Sequence, residues 1–131
     1  MDLVVDTSAI LAVLLEEPER EVLVRLTAGA TLCIPPSVPW EVGNALSALV
    51  RRRRLTRAHA RRVVRSFEAI PVETIGIDLE RAVDLAGAHN LYAYDGYLLD
   101  AARTRRAPLL TLDRALRRAA ERIGLGIVEV P

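Results

Sequence analysis

The chain has 131 residues, enough for one domain that buries its own core. Hydrophobic residues make up 51% and charged residues 27%, which argues against both a disordered and a membrane-embedded chain. The formal net charge is only +1, yet all 18 basic residues are arginine, and the segment from Arg51 to Arg65 holds eight of them with no acid among them. Such a polarised surface suits an anionic partner.

No apolar run reaches the roughly 20 residues that span a bilayer. The N-terminus is acidic at Asp2 and lacks the basic start of a secretory signal. The single cysteine, Cys33, has no internal partner and is expected as a small core residue in a reducing compartment. A cytoplasmic location follows as the default expectation.

In chain order, residues 2–5 predict a short buried strand and Ser8–Leu15 a helix directly after it. Pro18 precedes a second helix, Glu19–Ala28, which ends near Gly29. "TLCI" (31–34) predicts a strand stopped by Pro35 and Pro36, and Ser37 caps a long helix to about Arg53. Thr56 opens a helix to about Ala69, "VETI" (72–75) is a third strand, and Asp78 caps a helix to about Ala88. After "HNLYAY" a helix runs from Asp95 to about Arg106. "PLLTL" (108–112) is a fourth strand, Arg114–Arg122 a helix, and "GIVEV" (126–130) a last strand. Short apolar strands alternating with amphipathic helices predict βαβ units. The fold class is therefore α/β, a single three-layer domain over 1–131 with a mostly parallel central sheet.

Ligands of open α/β sheets bind beyond the carboxyl ends of the strands. Asp6 and Asp113 each follow an apolar strand there, and Asp95 lies where a loop becomes a helix. Glu41 lies roughly 60° round its helix from Val38, at the edge of the stripe Val38, Val42, Ala45, Leu46 and Leu49, with Asn44 one turn further on. Singly, Asp6, Asp95 and Asp113 could be N-caps, and Glu41 could pair with an arginine. Together they are harder to dismiss, because two carboxylates about 4 Å apart repel by about 4 kcal/mol at an effective dielectric near 20. Four of them call for protonation or a cation. Oxygen donors without clustered His or Cys favour Mg²⁺ or Mn²⁺ over zinc, the apparatus of phosphoryl chemistry.

Four segments, "VVDTSAIL", "PSVPWEVGNAL" with its E-x-x-N, "YAYDGYLLDAA" and "PLLTLDRAL", resemble in that order the motifs of PIN-domain nucleases. The resemblance covers essentially the whole chain, and its short single-domain form is similar to the VapC-type ribonuclease toxins of toxin–antitoxin pairs. It implies metal-dependent endoribonuclease activity with a metal-activated water as nucleophile and a 5′-phosphate product. Asp6, Glu41, Asp95 and Asp113 match the acidic quartet that binds metal and catalyses, and Thr7, Asn44 and Thr111 match its supporting polar positions. It also implies a cognate antitoxin protein and a homodimer. Gly96 departs from the small apolar residue common after the third acid, and is expected to loosen that helix start. Asp100 is an extra acid, either a ligand for a second metal or a partner of Arg103 on the next turn.

Arg51, Arg52, Arg53 and Arg54 end a long helix, either as a solvated surface or as a phosphate-contacting RNA-binding rim. Tyr92, Tyr94 and Tyr97 flank Asp95 and are expected as packing in preference to stacking on unpaired bases. Trp40 is expected as a core or interface anchor. His59 and His89 lie outside every motif, which argues against a metal-free ribonuclease built on a histidine pair. Receiver and haloacid-dehalogenase folds also place an aspartate after strand one, but rely on a lysine this chain lacks. No P-loop is present either. The alternative from another class is a non-catalytic RNA-binding or interaction module on the same fold, which is expected to have lost one or more of the four acids.

Overall fold

The computed structural model describes residues 1–131. Strand β1 (Asp2–Val5) alternates strictly, with Leu3 and Val5 buried on one face of the sheet and Val4 on the other. It stops at Asp6, and helix α1 (Thr7–Leu14) starts with no intervening loop. Helix α2 (Arg20–Thr27) leads to β2 (Thr31–Ile34), which pairs parallel with β1. Helices α3 (Val38–Arg51) and α4 (Arg57–Glu68) precede β3 (Val72–Thr74), parallel to β2. Then α5 (Leu79–Ala88) and α6 (Ala93–Arg105) carry the chain back across the sheet to β4 (Leu109–Leu110), on the far side of β1, before α7 (Arg114–Arg122). The order is β3-β2-β1-β4, all parallel.

The chain thus steps outward from β1 through β2 to β3 and then reverses to β4. The β1/β4 junction is the switch point, where the helices after the two strands diverge and leave a crevice. On one face Leu3, Val5, Ile34 and Leu110 pack against α1–α4 through residues such as Ile10, Leu23, Val42 and Phe67. On the other, Val4, Cys33 and Leu109 pack against α6 and α7 through Leu98, Leu99, Leu116 and Ala119. Both faces are covered, as a parallel sheet requires. No helix is long and apolar enough to cross a membrane.

Several sequence expectations are corrected. The segment 126–130 makes no strand: a single parallel bridge, Leu109 to Ile127, runs along the edge of β4. With only two residues, β4 offers too short a ladder for more pairing. Helix α3 stops at Arg51 because Arg53 turns left-handed (φ 57°). Helix α6 starts at Ala93 with Tyr92 as an extended N-cap, which places Asp95 inside its first turn. Trp40 is no core residue, being 71% exposed, and Tyr92 and Tyr94 are 85% and 51% exposed. Tyr97, half-buried, meets Tyr94 edge to face with ring centroids 5.9 Å apart.

Gly96 does not loosen its helix. It is the closest approach of α6 to α5: a Cβ built there would lie 2.2 Å from the Ala82 carbonyl oxygen and 3.2 Å from the Ala86 Cβ. Only glycine lets the two backbones meet this closely. Gly96→Ala is therefore expected to lose about 1–3 kcal/mol in denaturant unfolding, the cost of overpacking. Gly43→Ala, mid-helix with nothing within 4 Å, is expected to gain about 0.5–1 kcal/mol in the same measurement.

Candidate functional site

Asp6 sits at the N-cap position of α1 but makes no side-chain cap bond. Its Oδ2 instead accepts hydrogen bonds from the hydroxyls of Thr111 (2.7 Å) and Ser8 (2.8 Å). The Thr111 Oγ1 in turn accepts the Asp113 N–H at 3.0 Å, and the Ser8 Oγ accepts the Leu112 N–H at 3.1 Å. Two hydroxyls thus tie the end of β1 to the turn after β4 across the switch point. Burial pushes the Asp6 carboxyl above the ordinary carboxylate range, opposed by the Thr111 and Ser8 hydroxyls and the Thr7 amide and reinforced by the charge of Asp113.

Glu41 reaches the same crevice from the first turn of α3, where its Oε2 accepts the Thr7 hydroxyl at 3.0 Å. No arginine pairs with it. Partial burial, then the charges of Asp6 and Asp95, raise its pKa from 4.5 to about 7, against the pull of the Thr7 bond. Asp95, in the first turn of α6, accepts no hydrogen bond from the protein. Burial first, then Asp113 and Asp6, lift it from 3.8 to about 6. Asp113 caps α7 through Oδ1, which accepts the Ala115 and Leu116 N–H groups, and leaves Oδ2 without a protein partner. For this residue the capping expectation and a free oxygen coexist.

Four carboxylates from four elements therefore form one electrostatically coupled group, with no histidine or cysteine among them. In kind, the donors fit a hard divalent cation: all are oxygens, several carry no hydrogen bond, and their repulsion is unrelieved by any arginine. No three of them converge closely enough to hold an ion as they stand.

The other expected site residues divide. Thr7 and Thr111 lie in the network above. Asn44 is exposed, and its side chain makes no hydrogen bond. Arg51, Arg52, Arg53 and Arg54 are exposed at the far end of α3, about 15 Å along the helix from Glu41, so they lie outside the crevice. Asp100 is also elsewhere, and its partner is Arg81, not Arg103. It is fully buried between α6 and α5, where Oδ2 accepts the Asp78 N–H at 2.8 Å and Oδ1 the Arg81 Nε–H at 3.0 Å. It is not among the charges that raise Asp6, Glu41 or Asp95. Ser8 was missed: it follows Asp6 by two residues, but only the fold brings it to Thr111 and Leu112.

Residues 3–122 match the model of the PIN domain. The chain belongs to the PIN-domain family. That family consists of nucleases. No curated protein sequence matches the chain. Among solved structures, this PIN domain is similar to PAE2754 from Pyrobaculum aerophilum, with a TM-score of 0.73 and 23% identity over 91% of this chain and 79% of that one. It is also similar to FitAcB from Neisseria gonorrhoeae (TM-score 0.69, 16% identity, 97% and 96% covered). A third match is VapBC2 from Rickettsia felis bound to a DNA fragment from their promoter (TM-score 0.67, 16% identity, 98% of each chain). These likenesses establish the shared fold.

The raised carboxyls fix the sign of a pH dependence. Glu41 holds its proton more tightly folded than unfolded, so stability falls as pH rises from about 4.5 to about 7 and levels off above. Urea unfolding in EDTA is expected to give a lower midpoint at pH 7.5 than at pH 5, with Glu41→Gln flattening part of that slope, since Asp95 and Asp6 are raised as well. Asp100→Ala is expected to cost about 1–3 kcal/mol by the same assay, since it leaves the Asp78 N–H without its acceptor, while the 59% exposed Arg81 keeps water and Asp78 as partners. It should leave any stabilisation by added Mg²⁺ unchanged, because Asp100 stands apart from the crevice.

Proposed function

We propose that this PIN-domain protein is a metal-dependent endoribonuclease and the toxin of a toxin–antitoxin module. The observation that carries the proposal is the coupled, arginine-free group of acids at the β1/β4 switch point. Asp6, Glu41, Asp95 and Asp113 are its catalytic residues and would hold Mg²⁺ or Mn²⁺. A bound divalent cation supplies a water of lowered pKa and offsets charge developing on the phosphoryl oxygens. Ser8 and Thr111 fix the orientation of Asp6 through Oδ2, while Thr7 holds Glu41 through Oε2.

RNA approaches over a positive surface. Arg51, Arg57, Arg61 and Arg65 line a cavity of about 670 Å³ between α3 and α4, and Arg52, Arg53 and Arg54 extend it at the end of α3. Their role is to contact phosphates and draw RNA toward a crevice that would otherwise repel it. An antitoxin partner is supported by a further likeness, to a toxin–antitoxin complex from Klebsiella pneumoniae, similar over 98% of each chain (TM-score 0.67, 19% identity). A homodimer working in the cytoplasm completes the proposal.

The test is cleavage of a mixed RNA pool by purified protein with Mg²⁺, with Mn²⁺ and with EDTA. Cleavage is expected with metal only, and Asp6→Asn is expected to lower it at least about 100-fold, as losses of a charge-stabilising catalytic group do. Failure of the wild type to cleave under either metal would overturn the nuclease reading.

A further inference from the structure

Behind the acid crevice lies a cavity of about 190 Å³, enclosed by α1, α2 and one face of the sheet. Its floor includes Val5 and Leu110, the last residues of β1 and β4, which stand opposite each other in the parallel pair. Ile10 of α1 and Leu23 of α2 close its deep part, and all four are buried. Towards the surface it is bounded by half-buried Val13 and Thr27 and by Val24, which is 44% exposed.

Eleven of the twelve lining residues are hydrophobic. The exception, Thr27, turns its hydroxyl onto its own helix and donates to the Leu23 carbonyl at 2.8 Å. A trapped water needs two to four polar partners, and this lining does not supply them. An ion would lose its hydration with nothing in exchange. An engineered cavity of about 150 Å³ with a lining of this kind stays dry and takes up benzene or xenon. The cover is also weakly held. Only Leu23 is buried among the eight residues of α2, no side chain caps its N-terminus, and left-handed residues flank it at Glu16 (φ 57°) and Gly29 (φ 75°). So short a helix has little stability of its own, and its outward movement admits a ligand while the sheet stays intact.

The floor of this cavity is the underside of the Asp6 brace. Val5 precedes Asp6, Leu110 precedes Thr111, and the lining residue Ala9 follows Ser8. The Asp6 N–H donates to the Leu110 carbonyl at 2.9 Å. Each side chain of the brace is therefore one residue away from a cavity wall, and close-packed interiors transmit displacement over such distances. We propose that the cavity is a binding site for one small, uncharged, apolar molecule of about the size of benzene or toluene, and that its occupancy bears on the brace and through it on the crevice. An effect on cleavage rests on the nuclease reading. The binding, and its reach to the brace, do not.

The probes are benzene and toluene, with benzoate as the charged control, added to the full chain in EDTA. Both hydrocarbons are expected to shift the methyl resonances of Val5, Ile10, Leu23 and Leu110 saturably. They are also expected to raise Tm by about 2–5 °C at ten times the dissociation constant. Benzoate is expected to do neither. The amides of Leu112 and Asp113, which donate to the Ser8 and Thr111 hydroxyls, are expected to shift along the same binding curve. Val13→Phe and Thr27→Leu fill the cavity from its rim, and each is expected to weaken toluene binding about 10-fold or more.

The wild-type resonances locate the ligand whether or not either variant folds. Methyls that do not shift saturably, benzoate binding as well as benzene, or undiminished binding to folded filled variants would overturn the site. Saturation that leaves the Leu112 and Asp113 amides unmoved would overturn its reach to the brace. A wild type that takes up toluene and moves both amides yet cleaves no RNA would remove the nuclease reading and leave this inference standing.

Discussion

One oxygen atom organises the carboxyl edge of the sheet. Asp6 Oδ2 receives hydroxyls from Ser8, at the start of α1, and from Thr111, just beyond β4. Those hydroxyls also receive the backbone N–H groups of Leu112 and Asp113. The two ends of the switch point are therefore linked through a carboxyl whose pKa burial raises. Hydrogen bonds to a charged group contribute about 1.5–3 kcal/mol each, and here they reduce the burial penalty without cancelling it, since the carboxyl stays raised. The sheet carries an acid at its most expensive position and braces it from two sides. Positions of Glu41 and Asp113 follow from that brace, one through the neighbouring Thr7 and the other through its own amide.

The rest of the charge distribution sets this edge apart. At the opposite edge, Asp2 and Glu73 both bond to Arg105, and between α5 and α6 the buried Asp100 bonds to Arg81. Wherever an acid is structural, the chain supplies an arginine. At the switch point it supplies none, although 18 are present. Neutral totals conceal this separation, which leaves the crevice negative while α3 and α4 carry a basic groove.

Much of the architecture could be read from local pattern. β1, β2 and α7 fell where expected because alternation and helical spacing are properties of adjacent residues. Caps at Thr56, Asp78 and Asp113 were visible for the same reason, and each accepts the expected backbone N–H. The four acids could be singled out because they end elements, yet their mutual coupling depends on strand order, which no short window contains. What escaped was decided by distant chain. Gly96 is explained by Ala82, Asp100 by Arg81, and Ser8 by Thr111. Trp40 is not in the core and Tyr92 is not packed, because bulk and apolarity predict burial on average, while the helix phase at position 40 and the cap geometry at 92 turn both rings outward.

The short bridge between Leu109 and Ile127 has a bearing on recognition. By lying along β4, residues 126–128 occupy the backbone donors and acceptors that another chain would need to join the sheet there. The remaining border, β3, is three residues long and carries the charged Glu73 at its centre, a poor template for an added strand. Recognition by β-augmentation is thereby closed at both ends of the sheet. What the fold offers a macromolecule in place of a strand edge is side chains, many of them on its helices, where affinity depends on individual residues rather than on backbone geometry that any peptide could imitate.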